Sequence, residues 1–416
     1  MLAVIATIPV GQLPVRVVVS SDGAHAYVVN LDGATVSVIQ TATNTVTATI
    51  PVGNFPDSPV LSHDGAALYV LTLLASGDGT LSVVDTASNA VTKTMTVGDK
   101  PRDLTIHPDG TRLYVACVGN NTIKVVDIAT KTITGTIPLG STPGTPDGWK
   151  FSHDGARLYL INTDGDAISV LDTASHAVTT VGVMGRPYGI ALSPDDTHVY
   201  TANQPDITSP PSTAGSVSVI DTASNTVIAN IPVGLAPAGI AVRPDGGVVY
   251  VTDIDNGTVT VIDTATNTVV VTIPVGNYPA DPVISPDGSM YFPDVKDNTV
   301  AVIDTTTSAL SEIIPVGKAP TYLAVSPDGS RVYVPNAYDN TVTVIARESH
   351  WKTPGLVGHL IGGFAVNGGG WLVIGNHFYK VPPRPIAAAA IARAAAPFLG
   401  APIENRELGE QLRNLR

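Results

Sequence analysis

The sequence predicts an all-β fold: an eight-bladed β-propeller of four-stranded blades, followed by a small α+β extension. Three observations predict it. First, a turn pair recurs at Asp22, Asp64, Asp109, Asp154, Asp195, Asp245, Asp287 and Asp328, spaced 41 to 50 residues apart, which is the length of one blade. Each Asp is followed by Gly except Asp195, which Asp196 follows. Second, hydrophobic residues make up 44% of the chain but aromatics only 5%, so the core must be built from Val, Ile, Leu and Ala, a mixture that favours sheet. Third, 39 Gly and 33 Pro fall at regular places between short apolar runs, where they act as turn punctuation.

Residues 231–272 show the unit. Ile-Pro-Val-Gly and a Pro lead into a first strand, Gly239 to Val242, and Arg-Pro-Asp-Gly turns it into a second, Val248 to Thr252. A polar loop, a third strand (Val259 to Ile262), the turn Asp-Thr-Ala-Thr-Asn-Thr and a fourth strand (Val269 to Thr272) complete it. Four short strands bounded by Gly, Pro, Asn or Asp are what a blade requires. The eighth unit stops after its third strand at Ile345, whereas residues 2–8 read as a fourth strand with no blade of its own. The N-terminal strand is therefore expected to complete the last blade of a domain spanning 1–346 and so remove an open sheet edge. Seven blades plus a stray unit is the alternative.

The net charge is −13, and apart from Glu312 every acidic residue before 347 is Asp. Fourteen of these have a local explanation. The eight turn residues above set tight hairpins. Asp85, Asp127, Asp172, Asp221, Asp263 and Asp304 open the second turn, where a carboxylate bonds backbone two residues on. An acidic chain is poorly suited to nucleic acid, which needs Lys and Arg against phosphates. Cys117 is the only cysteine, which excludes an intramolecular disulfide, and its place at a strand end reads as an inert thiol. The first residues lack a basic segment and a cleavage site and already read as repeat. No apolar run reaches the ~18 residues of a membrane span.

Tyr27-Val-Val-Asn30, Tyr159-Leu-Ile-Asn162, Tyr250-Val-Thr-Asp253 and Tyr333-Val-Pro-Asn336, with their Ser-Pro-Asp-Gly and Val-Ile-Asp-Thr companions, resemble the YVTN-repeat β-propeller family of surface-layer proteins. The resemblance covers residues 1–346. It implies the propeller fold and an exported or surface location, although the chain shows no signal peptide. It is nearly silent on function, because propellers host unrelated activities.

If the strands run outward from the channel, the Asp turns occupy one face, and the links between blades and the second-to-third-strand loops occupy the other. The residues after each leading Pro should ring the channel mouth, among them Arg16, Asp57, Arg102, Asp103, Asp147, Tyr188, Asp281 and Tyr322. The residues ending each second strand, including Cys117, Asn203, Asp253 and Asp294, should join them, with the 204–216 insertion as a lid or partner loop. Such a mouth suits a small polar ligand, or a divalent cation through Asp57, Asp103, Asp147 and Asp281; a plain solvated rim is the bland alternative. No other cofactor is indicated. His63, His107 and His153 adjoin the Asp turns and read as turn residues.

From Arg347 the composition changes: the last 70 residues hold eight Lys or Arg, four Glu and no Asp. This basic extension, 347–416, reads as short strands at 364–366, 371–374 and 377–381, then two helices, 386–396 and 404–415. The helices could pack on the acidic propeller or serve self-association. The reading as a whole is a non-enzymatic binding or scaffold propeller for an unidentified protein or small ligand. A lactonase-like or other metal-assisted hydrolase at the channel mouth is the alternative, kept open by fold-level resemblance to lactonase-type propellers.

Overall fold

The computed structural model describes residues 1–416 apart from 74–76, 141–145, 163–164, 206–212, 348–360, 367–368, 375–376 and 382–416, with backbone only for Pro146, Asp147 and the strands beyond 360. The chain divides into two compact units, Met1–Glu348 and Ser349–Arg416. The first is an eight-bladed β-propeller, each blade a four-stranded antiparallel sheet. The innermost strands of blades 1 to 6 are Pro14–Val19, Pro56–Leu61, Pro101–Ile106, Pro146–Phe151, Arg186–Leu192 and Pro237–Val242. In blades 7 and 8 they shorten to Val283–Ile284 and Ala324–Val325. The second unit contains a three-stranded antiparallel sheet, Ile361–Val366, Gly369–Ile374 and His377–Val381. Both helices expected after it lie outside the described residues. Among the described residues no helix is long and apolar enough to cross a membrane.

No blade has a core of its own. Buried apolar side chains form eight clusters, one between each pair of neighbouring blades. One buried Tyr per blade (Tyr27, Tyr69, Tyr114, Tyr159, Tyr200, Tyr250, Tyr291, Tyr333) fills the second strand and supplies bulk that Val and Ala cannot. The cluster of Tyr333, Val342 and Val344 from blade 8 with Val17, Ala26 and Val28 from blade 1 shuts the ring. Strand Leu2–Pro9 lies outermost in blade 8, antiparallel to Thr341–Arg347, and buries Ile8 in that same cluster. Closure is reinforced by Arg331, whose Nη1 donates to the Thr41 carbonyl, and by Leu13 N–H on Asn340 Oδ1 at 2.8 Å.

The Asp turns form one face as a bonded unit. Asp22 accepts from the Ser20 hydroxyl at 2.5 Å and the Ala24 amide at 2.9 Å, and Thr41 in the second turn donates to the Gly23 carbonyl at 2.6 Å. The same Thr-to-turn bond recurs at Thr86, Thr173, Thr264 and Thr305. The three histidines lie on this face and reach the next blade: a Cβ on Gly110 would lie 2.9 Å from His63 Nδ1, His107 Nε2 is 2.9 Å from Gly155 O, and His153 Nδ1 is 2.6 Å from Asp196 Oδ1.

Outer strands carry one further regularity. In seven of the eight blades the pairing of the outermost strand slips by one residue, a β-bulge. Thr47, Thr92, Thr134 and Ser311 sit at the slip and donate to a carbonyl of the third strand. Blade 4 alone pairs without one.

Candidate functional site

The links between blades lie on the face opposite the Asp turns, and the structure separates the predicted mouth residues into two groups. Those ending the second strands do not reach the mouth. Asn203, Asp253 and Asp294 are fully buried and support the link that passes over them. Asp253 accepts Gly234 N–H at 3.0 Å and the Thr260 hydroxyl at 2.6 Å. Asp294 takes the amides of Asn277, Tyr278, Lys296 and Asp297. Asn203 donates to Ser218 Oγ at 2.8 Å. The link approaches so closely that a Cβ on Gly234 would lie 2.5 Å from the Asp253 carboxyl carbon, which accounts for the Gly of Ile-Pro-Val-Gly. Cys117 holds the same place in blade 3, and burial pushes its thiol up to about 11.

Burial also pushes the Asp253 carboxyl up to about 6, outweighing the Thr260, Thr258 and Gly234 donors. A carboxyl raised in the folded state destabilises it at pH above that value, and the penalty fades as pH falls toward the ordinary value near 4. Asp253→Asn, which installs the residue found at this place in blades 1, 4, 5 and 8, is expected to stabilise the fold by about 1–2 kcal/mol at pH 7. The gain should shrink toward zero at pH 4. Thermal unfolding at the two pH values checks this.

The second group forms a compact assembly at the mouth, drawn from blades 8, 1, 2 and 3. Arg16 Nε donates to Asp57 Oδ1 at 2.7 Å, and the guanidinium lies 4.1 Å from the centre of the Tyr322 ring, close enough for a cation–π contact. Burial works to lower the Arg16 pKa, but Asp57, Asp103 and Tyr322 outweigh it and hold it above its ordinary range. Burial raises the Asp103 carboxyl, with Arg16, the Leu104 amide and the Ser58 hydroxyl opposing. Asp57 Oδ1 also accepts Ser58 N–H at 2.7 Å. Ser58 adopts φ 48°, in the left-handed region, where non-glycine residues are uncommon. The pair is partly open to solvent, 28% and 37% exposed, so its contribution is positional more than energetic.

Around this assembly, Arg102 and Asp281 are exposed and Tyr188 and Tyr322 are about half exposed, at 50% and 47%. Asp147 lies in the blade 4 inner strand, with its side chain outside the described residues; so does the centre of the 204–216 insertion. Among the described residues no three His, Cys, Asp or Glu side chains gather closely enough to hold a metal ion.

Sequence reasoning missed the feature that most distinguishes the two faces. Apart from the eight buried tyrosines, the propeller's described aromatics are Trp149, Phe151 and Phe292, packed in the blade interfaces, and Phe55, Tyr188, Tyr278, Tyr322 and Tyr338. All five of the latter stand on the link face. Phe55 is 49% and Tyr338 74% exposed, joined by Met184 at 60%, and Lys296 stands 4.8 Å over the Tyr278 ring. The other large exposed apolar side chains lie on outer strands or at the N-terminus. The signal was in the sequence as tyrosines out of repeat register.

The fold and this mouth define a β-propeller with a charged, aromatic-rimmed link face. The choice-of-anchor I domain model matches residues 2–144, which span the closing strand and blades 1 to 3. No curated protein matches the chain. Among solved structures, the chain is similar to Kuenenia stuttgartiensis hydrazine synthase, with 23% identity, 81% of this chain and 96% of that one covered, and a TM-score of 0.55. It is also similar to the dihydro-heme d1 dehydrogenase NirN, determined in complex with DHE: 17% identity, 79% and 72% covered, TM-score 0.65. At these identities the likeness concerns the propeller fold alone.

Proposed function

We propose that the chain is a non-enzymatic binding propeller of the YVTN-repeat type, which takes a small polar ligand or a protein partner on its link face. The observation that carries this reading is the partition of Phe, Tyr and Trp: every described propeller ring of these types not used in a blade interface stands on that face, which also bears the Arg16–Asp57–Tyr322 assembly. Aromatic residues and Arg are the types enriched where proteins bind, and a face used only for solvation has no need of them. The mouth residues offered for contact are Arg16, Asp57, Arg102, Asp103, Tyr188, Asp281 and Tyr322.

A thermal-shift screen of the full chain against amino acids, sugars, nucleotides, lactones and divalent metals tests this, with hydrogen exchange to locate the protection. At least one ligand is expected to raise the melting temperature, since a ligand of the native state alone must stabilise it. Protection should fall on Pro14–Val19, Pro56–Leu61 and Pro101–Ile106. A screen without any shift would leave only a protein partner, and protection confined to the Asp-turn face would sink the reading. Turnover of a lactone, lost with Asp57→Asn, would replace it with the hydrolase alternative.

A further inference from the structure

Resting on that reading, we infer that the mouth assembly is a site for a small zwitterion of the amino-acid type, carrying a carboxylate and an ammonium on neighbouring atoms. The inference comes from which valences are occupied. Arg16 uses Nε on Asp57 and one ring face on Tyr322, while its two Nη groups have no hydrogen-bond partner among the described residues. The remaining end of the guanidinium is a planar fork that matches a carboxylate in a bidentate pair. Tyr322 and Asp57 hold that fork in a fixed plane, so little side-chain freedom remains to be lost on binding.

Of the acids beside it, Asp57 is occupied through one oxygen only. Asp57 Oδ1 takes both Arg16 Nε and Ser58 N–H, and Asp103 Oδ1 takes Leu104 N–H at 2.9 Å. The Ser58 hydroxyl also donates to the Asp103 carboxylate, whereas Asp57 Oδ2 has no hydrogen-bond partner among the described residues. Two carboxylates flank the one guanidinium, and a cation placed against them would offset the burial that raises the Asp103 carboxyl. A simple anion would meet both carboxylates, and a simple cation would meet Arg16. A molecule with both charges close together satisfies the fork and the free Asp57 oxygen at once.

Calorimetric titration of the full chain with the common L-amino acids tests the inference without a mutation. Saturable binding of at least one is expected. Its N-acetyl derivative, which keeps only the carboxylate, and its carboxamide, which keeps only the ammonium, should each bind at least ten-fold more weakly. Arg16→Gln should abolish binding, and Asp57→Asn should weaken it. Absence of saturable binding by every amino acid, or blocked derivatives that bind as well as the parent, would overturn the inference. In that event, an Arg16-dependent shift with a sugar or nucleotide would still leave the link-face reading standing, whereas no ligand at all would remove the small-ligand basis of both.

Discussion

Deleting residues 2–9 is expected to lower the melting temperature by roughly 10 °C or more, or to leave no folded monomer. The segment pairs with the third strand of blade 8 from Leu2 opposite Arg347 to Pro9 opposite Thr341, interrupted only by the bulge between Val4 and Ala6. It also places Ile8, 3% exposed, in the cluster joining blade 8 to blade 1, and loss of one such side chain alone costs about 2–5 kcal/mol. Beyond its own blade, Leu2 N–H donates to Glu312 of blade 7 at 3.0 Å. Because neighbouring blades share their cores, damage at this interface should spread around the ring. Thermal unfolding of the truncated chain followed by circular dichroism gives the answer, and an unchanged melting temperature would show that the ring closes by other means.

Acid is expected to unfold the propeller steeply below pH 4. All fourteen turn aspartates are held below the ordinary carboxylate range. The main cause is hydrogen bonding, chiefly from Ser or Thr hydroxyls and backbone amides, with Arg243 donating to Asp245; at Asp109 and Asp287 burial opposes the shift and is outweighed. Asp195 and Asp328 lie at about 2, with Ser193 and Ser326 the leading donors. A carboxyl depressed in the folded state contributes stability that is complete above its unfolded value, near 4, and is lost as pH falls through its folded value. The melting temperature should therefore change little from pH 7 to 5 and then drop on the order of 20 °C between pH 4 and 2. These groups are exposed or half-buried, so each contributes little; the effect rests on their number. A melting temperature that stays level to pH 2 would show that the turns hold without their charges.

The repeat was legible because its determinants are local. An Asp-Gly pair fixes a hairpin wherever it stands, and a missing fourth strand at one end with an extra strand at the other announces how the ring shuts. Asn203, Asp253 and Asp294 were misplaced for the opposite reason. A polar residue at a strand end reads as surface, and only the path of the link overhead shows it to be buried. The mouth assembly was partly legible: Arg16, Asp57, Asp103 and Tyr322 were all placed at the channel by their distance from the leading Pro. Their pairing was not, since it joins blades separated by up to some 300 residues of sequence, and no periodicity reports which of eight inner strands face one another. The positive φ of Ser58 was likewise hidden, because Ser carries no signal for it as Gly would.

The slip in the outer strands has a consequence for molecules held near one another at high density. A regular outer strand presents a flat row of amides and carbonyls that a neighbour can extend, sheet onto sheet. One extra residue per strand breaks that row and increases its twist, so the rim is insulated by backbone geometry instead of by charge, and the insulation persists where salt or acid would screen or neutralise aspartates. Blade 4, whose outer strand Val178–Gly182 pairs without a slip, is the one place on the circumference where an added strand would meet an undisturbed ladder.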